Sequence, residues 1–249
     1  MLDNYAIVYM NTVLLADELE QNPPQLPFEV YDDDFYQELL QSAKYGAHQY
    51  DAYNSIVSCS MLYTGDQPSQ LECTHWFMCD ELPDDSTVRG ESPPTNIHVM
   101  DNERDLVAGF MHTLSNIMVI LEDGRPLRQY NIAGWDVSKR IWPIIVNKCF
   151  KYGVRVPKTL RVDITDSFVK LKNFVDINQI YNQGAYSGIR KTPACADVLA
   201  YWGIPATSLG GYMPPQTLRD LICEDQTTAA KAINDYLRGM AIAFKKYTN

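Results

Sequence analysis

The chain has 249 residues, 46% of them hydrophobic, and a formal net charge of −10, from 31 Asp and Glu against 21 Lys and Arg. That length and apolar content suit one substantial core, so a single domain over residues 1–249 is expected, and the acidity excludes nucleic-acid binding through a uniformly basic surface while leaving room for a local basic groove. No stretch approaches the roughly 18 consecutive apolar residues of a membrane span, and the first residues lack the basic-then-apolar layout of a signal peptide, so a soluble, cytoplasmic protein without membrane partners is expected.

In chain order, Tyr5 to Val13 is short, apolar and rich in β-formers, which predicts a central strand of a buried sheet. Residues 14–51 carry Pro23, Pro24 and Pro27, then Asp32, Asp33 and Asp34. They predict an insertion with a helix from Phe35 to Lys44, whose cap and first turn the aspartates supply. Tyr53 to Tyr63 and Cys73 to Cys79 predict two more strands, joined by a hairpin turn at Thr64-Gly65-Asp66. Residues 82–100 are expected to form a second insertion, beginning with a loop rich in Asp, Ser, Pro and Gly.

A helix is predicted from an Asp101 cap through Leu106, Val107, Phe110, Met111 and Leu114 at helical spacing. Ile117 to Leu121 predicts a strand, Glu122-Asp123-Gly124 a turn, and Leu127 to Ile132 an approach to the segment Asn131-Ile132-Ala133-Gly134-Trp135-Asp136. Val137 to Tyr152 repeats with helical period, with Pro143 as a kink or a start. Val162 to Ile180 has mixed character. Pro193 opens a helix that Gly203 caps, Gly210 to Pro215 is a loop, and a long helix, broken in its middle, runs from Pro215 to Lys246. Strands first, then helices alternating with further segments, predict an α/β fold: a mixed sheet covered by helices.

Cys59, Cys73, Cys79, Cys149, Cys195 and Cys223 form no CxxC pair and no zinc spacing, so buried, reduced thiols are expected. His48, His75, His98 and His112 are far apart and read as surface or satisfied histidines. No P-loop, G-x-G-x-x-G or G-x-S-x-G occurs. Cations gather from Lys139 and Arg140 through Lys148, Lys151, Arg155, Lys158 and Arg161 to Lys170 and Lys172, which reads as a solvated helical face or as a local basic groove.

The order YAIVYMNTV, YDAYNSIVSCSML, DNERDLVAGFMHTL, YNIAGWD, FVDINQIY, TPACADVLAYWGIPA and CEDQTTAAKAINDYL resembles the 3′–5′ exonucleases related to the proofreading domain of B-family DNA polymerases. The resemblance implies a ribonuclease-H-like mixed sheet flanked by helices. Such enzymes hold two divalent cations on converging carboxylates, one ion activating the attacking water and the other stabilising the leaving oxygen. The family's first motif, Asp-x-Glu, falls on Tyr9 and Asn11, neither of which carries a carboxylate. In the second, Asn131, Trp135 and Asp136 match, leaving Asp136 as the retained metal carboxylate or as a helix N-cap. In the third, Ile222 stands in the tyrosine's place and Gln226 in the aspartate's, while Asp225 lies one residue early, about 100° around a helix.

The resemblance therefore implies a catalytically degenerate relative that needs no cofactor and binds single-stranded DNA or RNA, or a replication or repair protein, in a bacterial or viral setting. Asn131, Trp135 and Asp136 would line one side of its groove and Tyr9 and Asn11 the other, with Trp135 or Tyr186 as stacking surfaces. An active Mg²⁺- or Mn²⁺-dependent enzyme would instead need displaced ligands: Asp225 with one of Asp17, Glu18 or Asp176. Glu20 is a further displaced candidate, whereas Asp163 and Asp166 lie between motifs. A third alternative is an acidic protein–protein adaptor or inhibitor on the same fold.

Overall fold

A computed structural model describes residues 5–14, 54–64, 71–79, 94–117, 131–157, 160, 174–181, 195–204 and 215–248. The predicted helix from Phe35 to Lys44, the turns at residues 65–66 and 122–124, the loops at 82–93 and 210–214, Tyr186, Asp17, Glu18, Glu20, Asp163, Asp166 and His48 lie outside them.

Six strands form one mixed sheet: β1 (Tyr5–Leu14), β2 (Asn54–Thr64), β3 (Leu71–Met78), β4 (Thr95–Met100), β5 (Asn131–Gly134) and β6 (Phe174–Asp176), in the order β4-β3-β2-β1-β5-β6. β1 runs antiparallel to β2 and β2 to β3, while β3/β4, β1/β5 and β5/β6 are parallel. Period-2 alternation sends Ala6 and Val8 to one face of β1 and Ile7 to the other, with Tyr5 and Tyr9 beside it. Between Asn11 and Thr12 the register skips Val57 of β2, a bulge that turns Ile56 to the same face as Cys59 and Met61.

The first face is covered by α1 (Glu103–Ile117) and α2 (Trp142–Tyr152), and the second by α3 (Ile177–Tyr181), α4 (Cys195–Tyr201), α5 (Pro215–Glu224) and α6 (Gln226–Thr248). In α1 the periodic residues Leu106, Val107, Phe110, Met111 and Leu114 are all buried. Its cap is Asn102 rather than Asp101: the Asp105 amide donates to Asn102 Oδ1 at 2.9 Å. The expected strand at Ile117 begins with the last residue of α1. Conversely Thr95–Met100, assigned from sequence to an insertion, is an edge strand paired in parallel with β3. Pro143 lies in the first turn of α2, where its missing N–H costs nothing, and Gly153 ends that helix at φ +69°. The terminal helix does break: Asp225 separates α5 from α6.

A buried ion pair ties the first layer together. Lys148 Nζ lies 3.0 Å from Glu103 Oε1 and donates to the Asn54 carbonyl at 2.5 Å. The Ile56 amide donates to Glu103 Oε1 at 2.7 Å, and the Tyr152 hydroxyl donates to Oε2. Lys148 thus leaves the basic surface set. Five of the six cysteines are buried, Cys223 is exposed, and all are free thiols.

Candidate functional site

The carboxyl ends of β5 and β6 bring together side chains distant in sequence. The Asp136 and Asn178 amides donate to Asp176 Oδ1 at 3.0 and 3.1 Å, and the Ser138 hydroxyl donates to Asp176 Oδ2 at 3.0 Å. Asn178 Nδ2 donates to Asp136 Oδ1 at 2.6 Å. Parallel pairing builds this cluster, because Gly134 stands opposite Asp176 and delivers Asp136 and Ser138 just beyond it. Burial, opposed by the Ser138 hydroxyl, holds the Asp176 carboxyl above the usual carboxylate range, with the Asp136 charge adding to the rise.

Asp136 adopts φ +53°, ψ +30°, the left-handed region, and is the non-glycine residue with positive φ among those described. Its side chain makes no N-cap bond. A π-helical turn, Val137–Ile141, follows directly, with the Asp136 carbonyl accepting from the Arg140 and Ile141 amides. A left-handed aspartate and a π turn are both conformations that cluster at functional sites. Burial pushes the neighbouring Cys195 thiol up to about 12, and the Asp136 charge adds to the rise.

The other predicted site residues separate into two groups. Continuing the Ile7–Ala133 register sets Tyr9 beside Trp135, which packs half-buried on the second-face core. Asn131 pairs with Tyr5 at the opposite end of β5, so along the strand it is about 13 Å from Trp135. The Tyr9 ring packs against Tyr236 of α6 at 5.9 Å, and Tyr5 against Phe244 at 4.5 Å. These two contacts make α6 antiparallel to β1, with its amino end at the carboxyl end of β1. Gln226 then lies about 15 Å along the helix axis from Tyr236, well past the level of Asn11. Between them, the residues that α6 buries against the sheet are Ala229, Ala230, Ile233 and Asn234, and none is acidic. Asn11 is buried opposite Ser58, whose hydroxyl is buried without a hydrogen-bond partner.

Asp225 is an N-cap. Its carboxylate accepts from the Thr228 amide at 3.0 Å and the Thr228 hydroxyl at 2.7 Å, and the hydroxyl bond foremost holds it below the usual carboxylate range. Asp176 stands in the sequence as a candidate displaced ligand, whereas Asn178 and Ser138 emerge only from the fold; the signal for Asn178 is its Asp-x-Asn spacing from Asp176 after an apolar pair. His75, expected to be a surface or a satisfied histidine, is the latter: it is fully buried between the Ser60 hydroxyl on Nδ1 at 2.8 Å and Asn234 Oδ1 on Nε2 at 3.1 Å.

Two divalent cations need several oxygens converging on one point. Asp136 and Asp176 supply two carboxylates already engaged by protein donors, and among the described residues no group of three or more His, Cys, Asp or Glu is placed to hold a metal. No protein-family model matches the chain, and no curated protein matches it.

Proposed function

We propose that this chain is a ribonuclease-H-like relative of the 3′–5′ exonucleases that has exchanged catalysis for binding, and that it holds single-stranded nucleic acid in the former substrate groove. Two antiparallel hairpin partners followed by two parallel strands, in the order β3-β2-β1-β5-β6 with helices on both faces, support the fold assignment. The observation that carries the loss of catalysis is the Tyr9–Tyr236 ring pair. An aromatic side chain occupies the strand position where the family places its first carboxylate, and the Tyr236 ring of α6 packs against it.

Removing carboxylates also removes their repulsion toward phosphates, so the groove gains affinity for a strand as it loses its cation cage. Trp135, half-buried beside Asp136, offers a stacking surface. Asp176 against Asp136 favours a second reading, an active exonuclease with displaced ligands. It requires a third carboxylate from outside the described residues.

The test is a 3′-labelled single strand incubated with Mn²⁺ and protein at concentrations equal to the strand. Retention of the strand without shortening is expected. Stepwise shortening that Asp136→Asn abolishes would establish the second reading instead.

A further inference from the structure

We propose that the outer face of the π turn and α2 is a second nucleic-acid contact, a track that takes the phosphate backbone of a single strand as it leaves the groove. The inference takes its occupant from the strand-binding reading above but rests on different residues. Between Val137 and Val162 the sequence holds seven of the chain's 21 Lys and Arg and none of its 31 Asp and Glu. In a protein this acidic, a 26-residue segment without a carboxylate is a local reversal of sign.

The fold sorts that segment by face. Trp142, Ile145, Lys148 and Cys149 turn inward, and Lys148 spends its charge on Glu103. Arg140, Pro143, Asn147, Phe150 and Lys151 turn outward, with Arg155 exposed just past Gly153. At about 100° per residue, the outward residues of α2 share one stripe. No described carboxylate pairs with Arg140, Lys151 or Arg155. Phe150 is 78% exposed within this stripe, between buried Cys149 and exposed Lys151.

Lys151 Nζ lies over the Tyr152 ring at 5.1 Å, which leaves its charge open to an anion. An exposed aromatic ring among cations that no described carboxylate neutralises is the arrangement that single strands use, phosphates on the cations and a base on the ring. An acidic protein segment would satisfy the cations but leave Phe150 without a planar partner. The stripe also begins four residues after Asp136, at the mouth of the groove, and extends about 16 Å from Arg140 to Lys151. It is therefore continuous with the first contact.

Fluorescence anisotropy of a labelled 20-nucleotide poly-dT strand, at 50 and 200 mM salt, tests the track. The proteins are wild type, Arg140→Glu/Lys151→Glu, Phe150→Ala and Trp135→Ala, each checked by circular dichroism. Arg140 in the π turn and Phe150 and Lys151 in α2 are all on the surface, so folding is expected to persist. The charge reversal is expected to weaken binding at least tenfold and to flatten the salt dependence, and Phe150→Ala to weaken it at least fivefold. Wild-type affinity in both α2 variants, with weakening by Trp135→Ala alone, would overturn the track and leave the groove reading standing. No strand binding by wild type would overturn both. Binding of polyglutamate in preference to the strand, lost on charge reversal, would overturn the track in favour of an acidic protein partner.

Discussion

Asp136 combines a strained backbone with a carboxylate that accepts the Asn178 amide at 2.6 Å. The two features have separable costs. Asp136→Ala loses the acceptor and leaves a β-carbon in the left-handed region, whereas Asp136→Gly loses the acceptor but relieves the strain. Glycine is ordinarily the worse replacement, yet here Asp136→Gly is expected to be about 1 kcal/mol more stable than Asp136→Ala in urea unfolding. The ordinary ordering would show that the backbone is not held in this conformation in solution. His75 supplies a pH dependence at the same scale. Burial holds its imidazole at about 4, against 6.5 for an exposed histidine, although the bond to Asn234 favours protonation. The unfolded chain takes up this proton below about 6.5 and the folded chain only below about 4. Stability is therefore full above the higher value and declines as pH falls through that window, by about 3 kcal/mol. A His75→Gln variant should be less stable at pH 7.5 but show a shallower decline between pH 6.5 and 4. Parallel pH curves for the two proteins would contradict the assignment.

At the scale of elements, the closeness of β5 to β1 positions Asp136. A β-carbon on Gly134 would meet the Val8 carbonyl oxygen at 2.8 Å, a backbone atom that cannot move without disturbing the sheet. On Gly239, in the middle of α6, it would meet Leu199 Cδ1 at 2.9 Å, the far end of a side chain that can rotate. Gly134→Ala is expected to lower stability by about 2–3 kcal/mol, within the range for overpacking. Gly239→Ala should fall within about 1 kcal/mol of wild type, because the gain in helix propensity offsets the contact. Thermal unfolding of the two variants decides this, and equal losses would refute it. The elements themselves were largely legible in the sequence where local signals act. Short apolar runs rich in β-formers mark β1, β2 and β3, and apolar spacing marks α1; the terminal helix is expected to break in its middle, and the break falls at Asp225. What escaped depended on distant partners. The edge strand β4 mixes polar and apolar residues and is defined by pairing with β3. Lys148 looked like one more surface cation because its partner Glu103 lies 45 residues earlier. The bonds from the Asp136 amide to Asp176 and from Asn178 to the Asp136 carboxylate span 40 and 42 residues and exist only because β5 and β6 are adjacent. The sequence motif located Asp136 but not the residues that fix its carboxylate.

At the scale of the molecule, helices on both faces sandwich a six-stranded mixed sheet, and no helix among the described residues is long and apolar enough to cross a membrane. Two features set the proposed role. A neutral aromatic pair, Tyr9 with Tyr236, stands at the middle of β1, and beyond the carboxyl end of the adjacent β5 two carboxylates are held by protein hydrogen bonds. A two-metal centre would require Tyr9 to leave Tyr236 and a third carboxylate from outside the described residues, because the residues buried in the first turns of α6 are alanine, isoleucine and asparagine. In the proposed role this groove binds a strand without a cation pair, and calorimetric titration of Mn²⁺ into the purified chain, with Asp136→Asn beside it, is the decisive measurement. Superimposable heats for the two proteins and no saturable two-site binding are expected. Two-site binding in the wild type that disappears in Asp136→Asn would contradict that role and identify a working metal centre.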